Sequence, residues 1–274
     1  MNRIVLSLIA IAAFVTVSHA KAEGAAALDV VGIKFGMPVA DAMRALKADN
    51  PRLTLAPNTM SLEGFSAPLM LSVIGTEPPT AAPDGTSGHS GETVEILFTL
   101  PPSPEVVWGI QRSYHFATKE RPSMDAAIEA LVKKYGPPSL PPSADPRNGT
   151  KIIAWVYDGS GRPMGPGGHA LYLNCGGLFA AHFGGDTASM NEIHTGQPGP
   201  KECDSIFLAT ASVQGGAATP GGSQMAVDNL TVQLIDGARH RPAADATRAV
   251  ALAAGKAREQ KTSDDMKRNG APKL

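Results

Sequence analysis

Several features are scarce in this chain of 274 residues, and each shortage excludes something. An excess of charge of one sign is missing, since 24 Lys and Arg face 25 Asp and Glu for a net charge of −1. Holding a phosphate backbone needs concentrated positive charge, so nucleic acid is not expected as a partner. Cysteine is limited to two residues, Cys175 and Cys203. Beyond the first twenty residues no stretch is long and apolar enough to predict a membrane-crossing helix, which needs roughly 20 residues. Aromatic residues make up only 5%, whereas 29 Gly and 23 Pro predict long connecting loops. A hydrophobic content of 43% is nevertheless ordinary for a chain that folds around its own core.

Signatures of catalysis are also missing. No Gly-x-Ser-x-Gly elbow occurs; the nearest string, Gly85 to Gly91 with His89 beside Ser87 and Ser90, has the wrong spacing and lies in a Gly/Ser-rich loop. A serine nucleophile needs a base held rigidly within hydrogen-bond reach, which such a loop does not supply. His169, Cys175, His182, His194 and Cys203 fall within one third of the chain, yet none forms the close ligand pair that aims two side chains at one zinc ion. The glycine-rich run 159–168 lacks a Gly-Lys-Ser/Thr ending, and Pro163 and Pro166 remove backbone donors that a phosphate would need. It predicts a hairpin loop. No catalytic, cofactor-binding or metal-binding residue is assigned, and no cofactor is expected.

The first twenty residues carry the clearest positive signal. Arg3 precedes an apolar run from Ile4 to Val17, and the small residues Ser18 and Ala20 follow at the spacing a signal peptidase accepts. Residues 1–20 therefore predict a removed signal peptide, with a second cleavage site after Ala22. No cysteine follows the run to take a lipid anchor. The mature chain is expected to be periplasmic or secreted, with no transmembrane segment once the signal is gone. In an oxidising compartment an even pair of cysteines predicts a disulfide, here Cys175 to Cys203. A reactive thiol or a metal ligand is the alternative. If the flanking runs Ala170–Cys175 and Cys203–Leu208 were neighbouring antiparallel strands, both sulfurs would lie at the same end of the pair.

Two segments have helical spacing. Val39, Ala42, Met43 and Leu46 follow Pro38, with Asp41 in the first turn and Asn50-Pro51 as the stop. Met124, Ala127, Ile128, Leu131, Val132 and Tyr135 form a stripe that opens at Ser123 and closes at Gly136-Pro137-Pro138. Strands are predicted at 69–74, 93–100, 106–116, 152–157, 170–175, 206–213 and 230–235. The order predicts an α+β fold of two helix-on-antiparallel-sheet modules, 27–118 and 119–236, with one continuous sheet carrying both helices as the alternative. The tail 237–274 is alanine-rich and basic, with nine Lys and Arg from Asp236 onward against five Asp and Glu. It predicts a loosely docked helix, anchored at most by Val250, Leu252 and Met266, and disordered after about Lys261.

In the strand 106–116, alternation places Val106, Trp108, Ile110, Arg112, Tyr114 and Phe116 on one face. An arginine in an apolar row is either paired internally or marks where that face meets a partner, and near the strand's end its stem can pack while its head reaches water. If the row is exposed, Trp108, Arg112 and Tyr114 are the residue types that dominate interface energetics, and they form the candidate interaction surface.

The run Val31 to Leu46, an apolar strand, Gly-Met, then a short helix, resembles the opening of exported bacterial proteins. The run Ala126 to Pro138, ending Tyr-Gly-Pro-Pro and followed by Ala154-Trp-Val-Tyr157, is similar to the small lipoprotein of the outer-membrane β-barrel assembly machinery. It is similar as well to the β-lactamase inhibitor proteins, built from tandem helix-and-sheet modules. The resemblance covers about a third of the chain, and the lipoprotein's anchoring cysteine is missing. It implies a non-catalytic envelope module that binds another envelope or secreted protein. The alternative is an exported hydrolase or small-ligand binder whose site is assembled from distant residues.

Overall fold

The computed structural model describes residues 24–77, 91–144, 150–183, 201–215 and 226–269. The export signal, the string containing His89, and His194 lie outside them. The fold is α+β. A short hairpin, β1 (Asp29–Val30) and β2 (Ile33–Lys34), leads into α1 (Val39–Asp49) and then β3 (Thr54–Met60), β4 (Leu69–Thr76), β5 (Gly91–Phe98) and β6 (Val107–His115). The second half has the same helix and four strands, α2 (Met124–Tyr135), β7 (Leu140–Ala144), β8 (Thr150–Tyr157), β9 (Phe207–Gly215) and β10 (Val227–Asp236), with a further helix, α3 (His169–Ala180), between β8 and β9. A last helix, α4, runs from Gly237 to Asn269.

All eight long strands join one antiparallel sheet in the order β3-β4-β5-β6-β10-β9-β8-β7. The continuous-sheet arrangement is the one adopted. Each half contributes a helix followed by a four-stranded meander, and the halves correspond in detail. Pro38, the N-cap of α1, bridges to Val106, and Ser123, the N-cap of α2, bridges to Ala226. Val107 donates to the Met37 carbonyl and Val227 to that of Pro122, both at 2.9 Å. The register of each last strand slips at the same place, after Val107 and after Val227. The two central strands pair Arg112 with Val232, which occupy the same position in their respective halves. A pseudo-twofold axis therefore passes between these two residues.

The cap of α2 forms as the sequence predicts, whereas Pro38 sits one place before the first residue of α1. The Ser123 side chain accepts from the Ala126 amide at 3.2 Å, satisfying one of the donors that a helix start leaves open. One sheet face packs under α1, α2 and the β1–β2 hairpin through Leu46, Leu131, Ile96, Ile110, Trp155 and Leu234, all buried. The other face is apolar at one end, where Leu97, Trp108, Val156, Leu208 and Ile235 pack with the disulfide and the inner side of α3. Its opposite end is polar: Gln233 donates to Gln111 at 2.6 Å and accepts from Thr210 at 3.2 Å, linking three strands.

Three expectations change. Residues 170–175 belong to helix α3, not a strand; run 159–168 does turn back on β8, with Tyr157 bridging antiparallel to Pro163, but it then enters that helix through a short 3-10 turn and no second strand follows. A brief apolar run fits either secondary structure, and packing arbitrates. Here Gly168 lets the helix start touch β8, since a Cβ there would lie 2.6 Å from Val156 Cβ. Second, Trp108 leaves the row it was expected to share: Leu97 pairs with Gly109 and Phe98 with Val107, so Trp108 is the extra residue of a β-bulge and turns to the opposite face. Third, the tail is helical as far as Asn269. Its first turns are anchored by buried His240, Ala243 and Thr247, with the Thr247 hydroxyl donating to the Pro101 carbonyl at 2.7 Å. Leu252 and Met266, two of the three expected anchors, are exposed.

Candidate functional site

The two halves meet over β6 and β10, and there the packing is incomplete. On the helix-covered face, α2 presents Ala126, Ala127 and Ala130 toward the central strands, and methyl groups do not fill the space that longer side chains would. The result is a groove of about 590 Å³ on the pseudo-twofold seam. Its floor is Tyr114, Phe116, Leu230 and Val232, and the β1–β2 hairpin closes one end with Val30 and Val31. Ala126 and Ala130 are exposed, so the groove is open along α2. Tyr114 and Phe116 meet edge to face with centroids 4.8 Å apart.

Two cations line this apolar trough, Arg112 and Lys134. Arg112 is held from beneath: its Nε lies 2.6 Å from Oε1 of Glu92, a residue only 3% exposed at its side chain, although the N–H is not aligned on that oxygen. Glu92 is part of a longer chain of contacts. The Asn50 amide, at the C-cap of α1, donates to both Glu92 and Glu77 at 2.9 Å, and Arg52 pairs with Glu77 at 2.6 Å. The α1 end, β4, β5 and β6 are thus tied to one arginine at the seam. The guanidinium also sits 6.0 Å from the Tyr114 ring centroid, the outer limit of a cation–π contact. Lys134, half exposed, pairs loosely with Asp29 at 3.3 Å, while the Tyr135 hydroxyl donates to the Asp29 carbonyl at 3.2 Å. Burial, aided by Asp29, pushes the Tyr135 phenol well above its usual range. That keeps it a neutral donor.

The hairpin at the groove's end carries the only non-glycine residue with positive φ among the described residues, Val31 at 50°, next to Gly32 at 78°. Two positive φ values in a two-residue turn match the twist of a hairpin but favour Asn-Gly. A β-branched residue in the left-handed region costs about 1–2 kcal/mol. Such strain gathers at functional positions, and Val31 lines the groove.

Of the three residues proposed as an interaction surface, Arg112 and Tyr114 are brought together here and Trp108 is not. Trp108 is 2% exposed on the other face, stacked on His240 at 3.8 Å and edge-on to His182 at 5.1 Å. Its work is to hold α4. Cys175 and Cys203 form a disulfide with Cα atoms 5.6 Å apart, joining α3 to the 3-10 turn before β9. The pairing agrees with the sequence; the strand setting expected for it does not. Among the described residues no group of three His, Cys, Asp or Glu side chains is placed to hold a metal, and no helix is long and apolar enough to cross a membrane. Sequence reasoning missed Glu92, Lys134 and the alanines of α2. Ala126, Ala130 and Lys134 do recur four residues apart beside the apolar stripe, a signal visible only once the facing strands are known.

No protein-family model matches the chain, and neither does any curated protein or solved structure.

Proposed function

We propose that this is an exported, non-catalytic binding protein that grips another envelope or secreted protein through the groove over β6 and β10. The observation that carries the reading is the pairing of an apolar trough with Tyr114 and a pre-positioned Arg112, the residue types that anchor interfaces. The lining otherwise offers contact and not chemistry: among the described residues it includes no carboxylate, imidazole, thiol or aliphatic hydroxyl. The sheet edges suit strand addition poorly. Pro57 sits in β3, and Pro141 and Pro142 sit in β7, so each outer strand has a gap in its row of backbone donors. Export is supported by residues 1–20 and by the disulfide, which persists in oxidising compartments. The helix-and-sheet resemblance of residues 126–157 points the same way.

The test is capture from envelope extract with the mature chain as bait under mild crosslinking. A specific protein should be recovered by the native chain and lost with Ala130→Phe, which fills the groove from an exposed helix position, or with Tyr114→Ala. Equal recovery by all three would refute the site. Amino-terminal sequencing of the native protein should begin after Ala20 or Ala22, whereas an intact Met1 would refute export.

A further inference from the structure

We infer that the groove's occupant is an acidic amphipathic helix of the partner, laid beside α2 with its apolar side chains over Tyr114, Phe116 and Leu230 and a carboxylate between Arg112 and Lys134. This rests on the binding reading above and names what is bound. Three features carry it. The first is charge: the lining contains two cations and, among the described residues, no acid. Glu92 lies against Arg112 on its Nε side, so an incoming carboxylate would meet the outer nitrogens of the five-donor fork. Asp29 holds Lys134 across 3.3 Å at a half-exposed site, and such a pair is worth less than about 1 kcal/mol, so it yields readily to a second anion.

Shape is the second feature. The groove is open along Ala126 and Ala130, one turn apart, and small side chains allow another helix to approach α2 closely. From Ala126 to Lys134 the wall is about 12 Å long at 1.5 Å per residue, which suits two turns of a guest helix. A free amphiphile would be left largely in water by so open a wall, whereas small-ligand sites bury most of their ligand. The third feature is the sign of the chain's own long helix. Across α4, Lys and Arg outnumber Asp and Glu, so that helix of a second copy offers the wrong charge.

The experiment uses the full mature chain and three labelled probes: a two-heptad helical peptide with Leu at the a and d positions and Glu elsewhere, its Lys counterpart, and oleate. Fluorescence anisotropy should show the Glu peptide bound and the Lys peptide at least about tenfold weaker, the worth of one close charge contact. Lys134→Glu should reverse that preference, and Ala130→Phe should abolish binding. Equal affinity for the two peptides, binding of neither, or oleate binding in their place overturns the inference. The broader binding reading would survive any of these results as long as Ala130→Phe still releases the partner captured from extract.

Discussion

At the residue scale the seam depends on one ion pair. Removing one partner of a buried pair leaves the other charge unpaired, which costs about 3–5 kcal/mol, more than the pair itself contributes. Arg112 is partly exposed and Glu92 is not, so the penalty belongs to Glu92. Arg112→Met is expected to destabilise by about 3 kcal/mol in urea denaturation. Adding Glu92→Gln should recover most of it, because the amide oxygen still accepts from Asn50. Strictly additive losses would show that the two side chains do not interact. The tyrosines make a second prediction. Burial pushes the Tyr157 phenol up to about 12, and Tyr135 and Tyr172 are raised by burial as well. A raised phenol pKa means that the fold binds the proton more tightly than the unfolded chain does. The contribution of Tyr157 is therefore whole below pH 10 and is lost as pH climbs through about 12, and those of Tyr135 and Tyr172 are likewise lost only as pH rises above the ordinary phenol range. Ultraviolet titration should show these phenolates appearing late and together with alkaline unfolding; a single ordinary transition near pH 10 would contradict the burial.

At the element scale, strain and staples can be measured apart. Val31→Asn suits the left-handed position and is expected to raise stability by about 0.5–1 kcal/mol, while weakening partner capture because the valine side chain leaves the groove. A gain in stability without a loss of capture would make the strain incidental. The disulfide spans 28 residues, and its loss in the Cys175→Ala, Cys203→Ala double variant should cost about 3–4 kcal/mol by loop closure. Helix α4 is unevenly anchored. Arg258 reaches Glu63 at 3.1 Å on the surface, whereas Thr247 and His240 are buried against the sheet. Ending the chain after Arg258 should change stability by less than about 0.5 kcal/mol, as surface changes do. Ending it after Asp236 would uncover Trp108 and is expected to abolish cooperative unfolding.

At the scale of the whole molecule, the groove is a by-product of joining two similar halves. Each half packs a helix over its own meander, and the axis between Arg112 and Val232 is the line that neither helix fully covers. Much of this plan was legible in the chain. Proline or serine at the start and Asn-Pro or Gly-Pro at the end define α1 and α2, because caps and stops act on adjacent residues. The cysteine pairing followed from their number and compartment. The helical state of 169–180, the bulge that turns Trp108 away, and the burial of His240 were not legible, since each depends on a surface supplied by distant strands. Local order and the two-part rhythm were thus determined by the sequence alone, through interactions that reach about four residues. Only the tertiary structure decided that the two modules share one sheet, that Glu92 lies under Arg112, and that a groove opens beside α2, because register and packing are set by contacts between residues far apart in the chain.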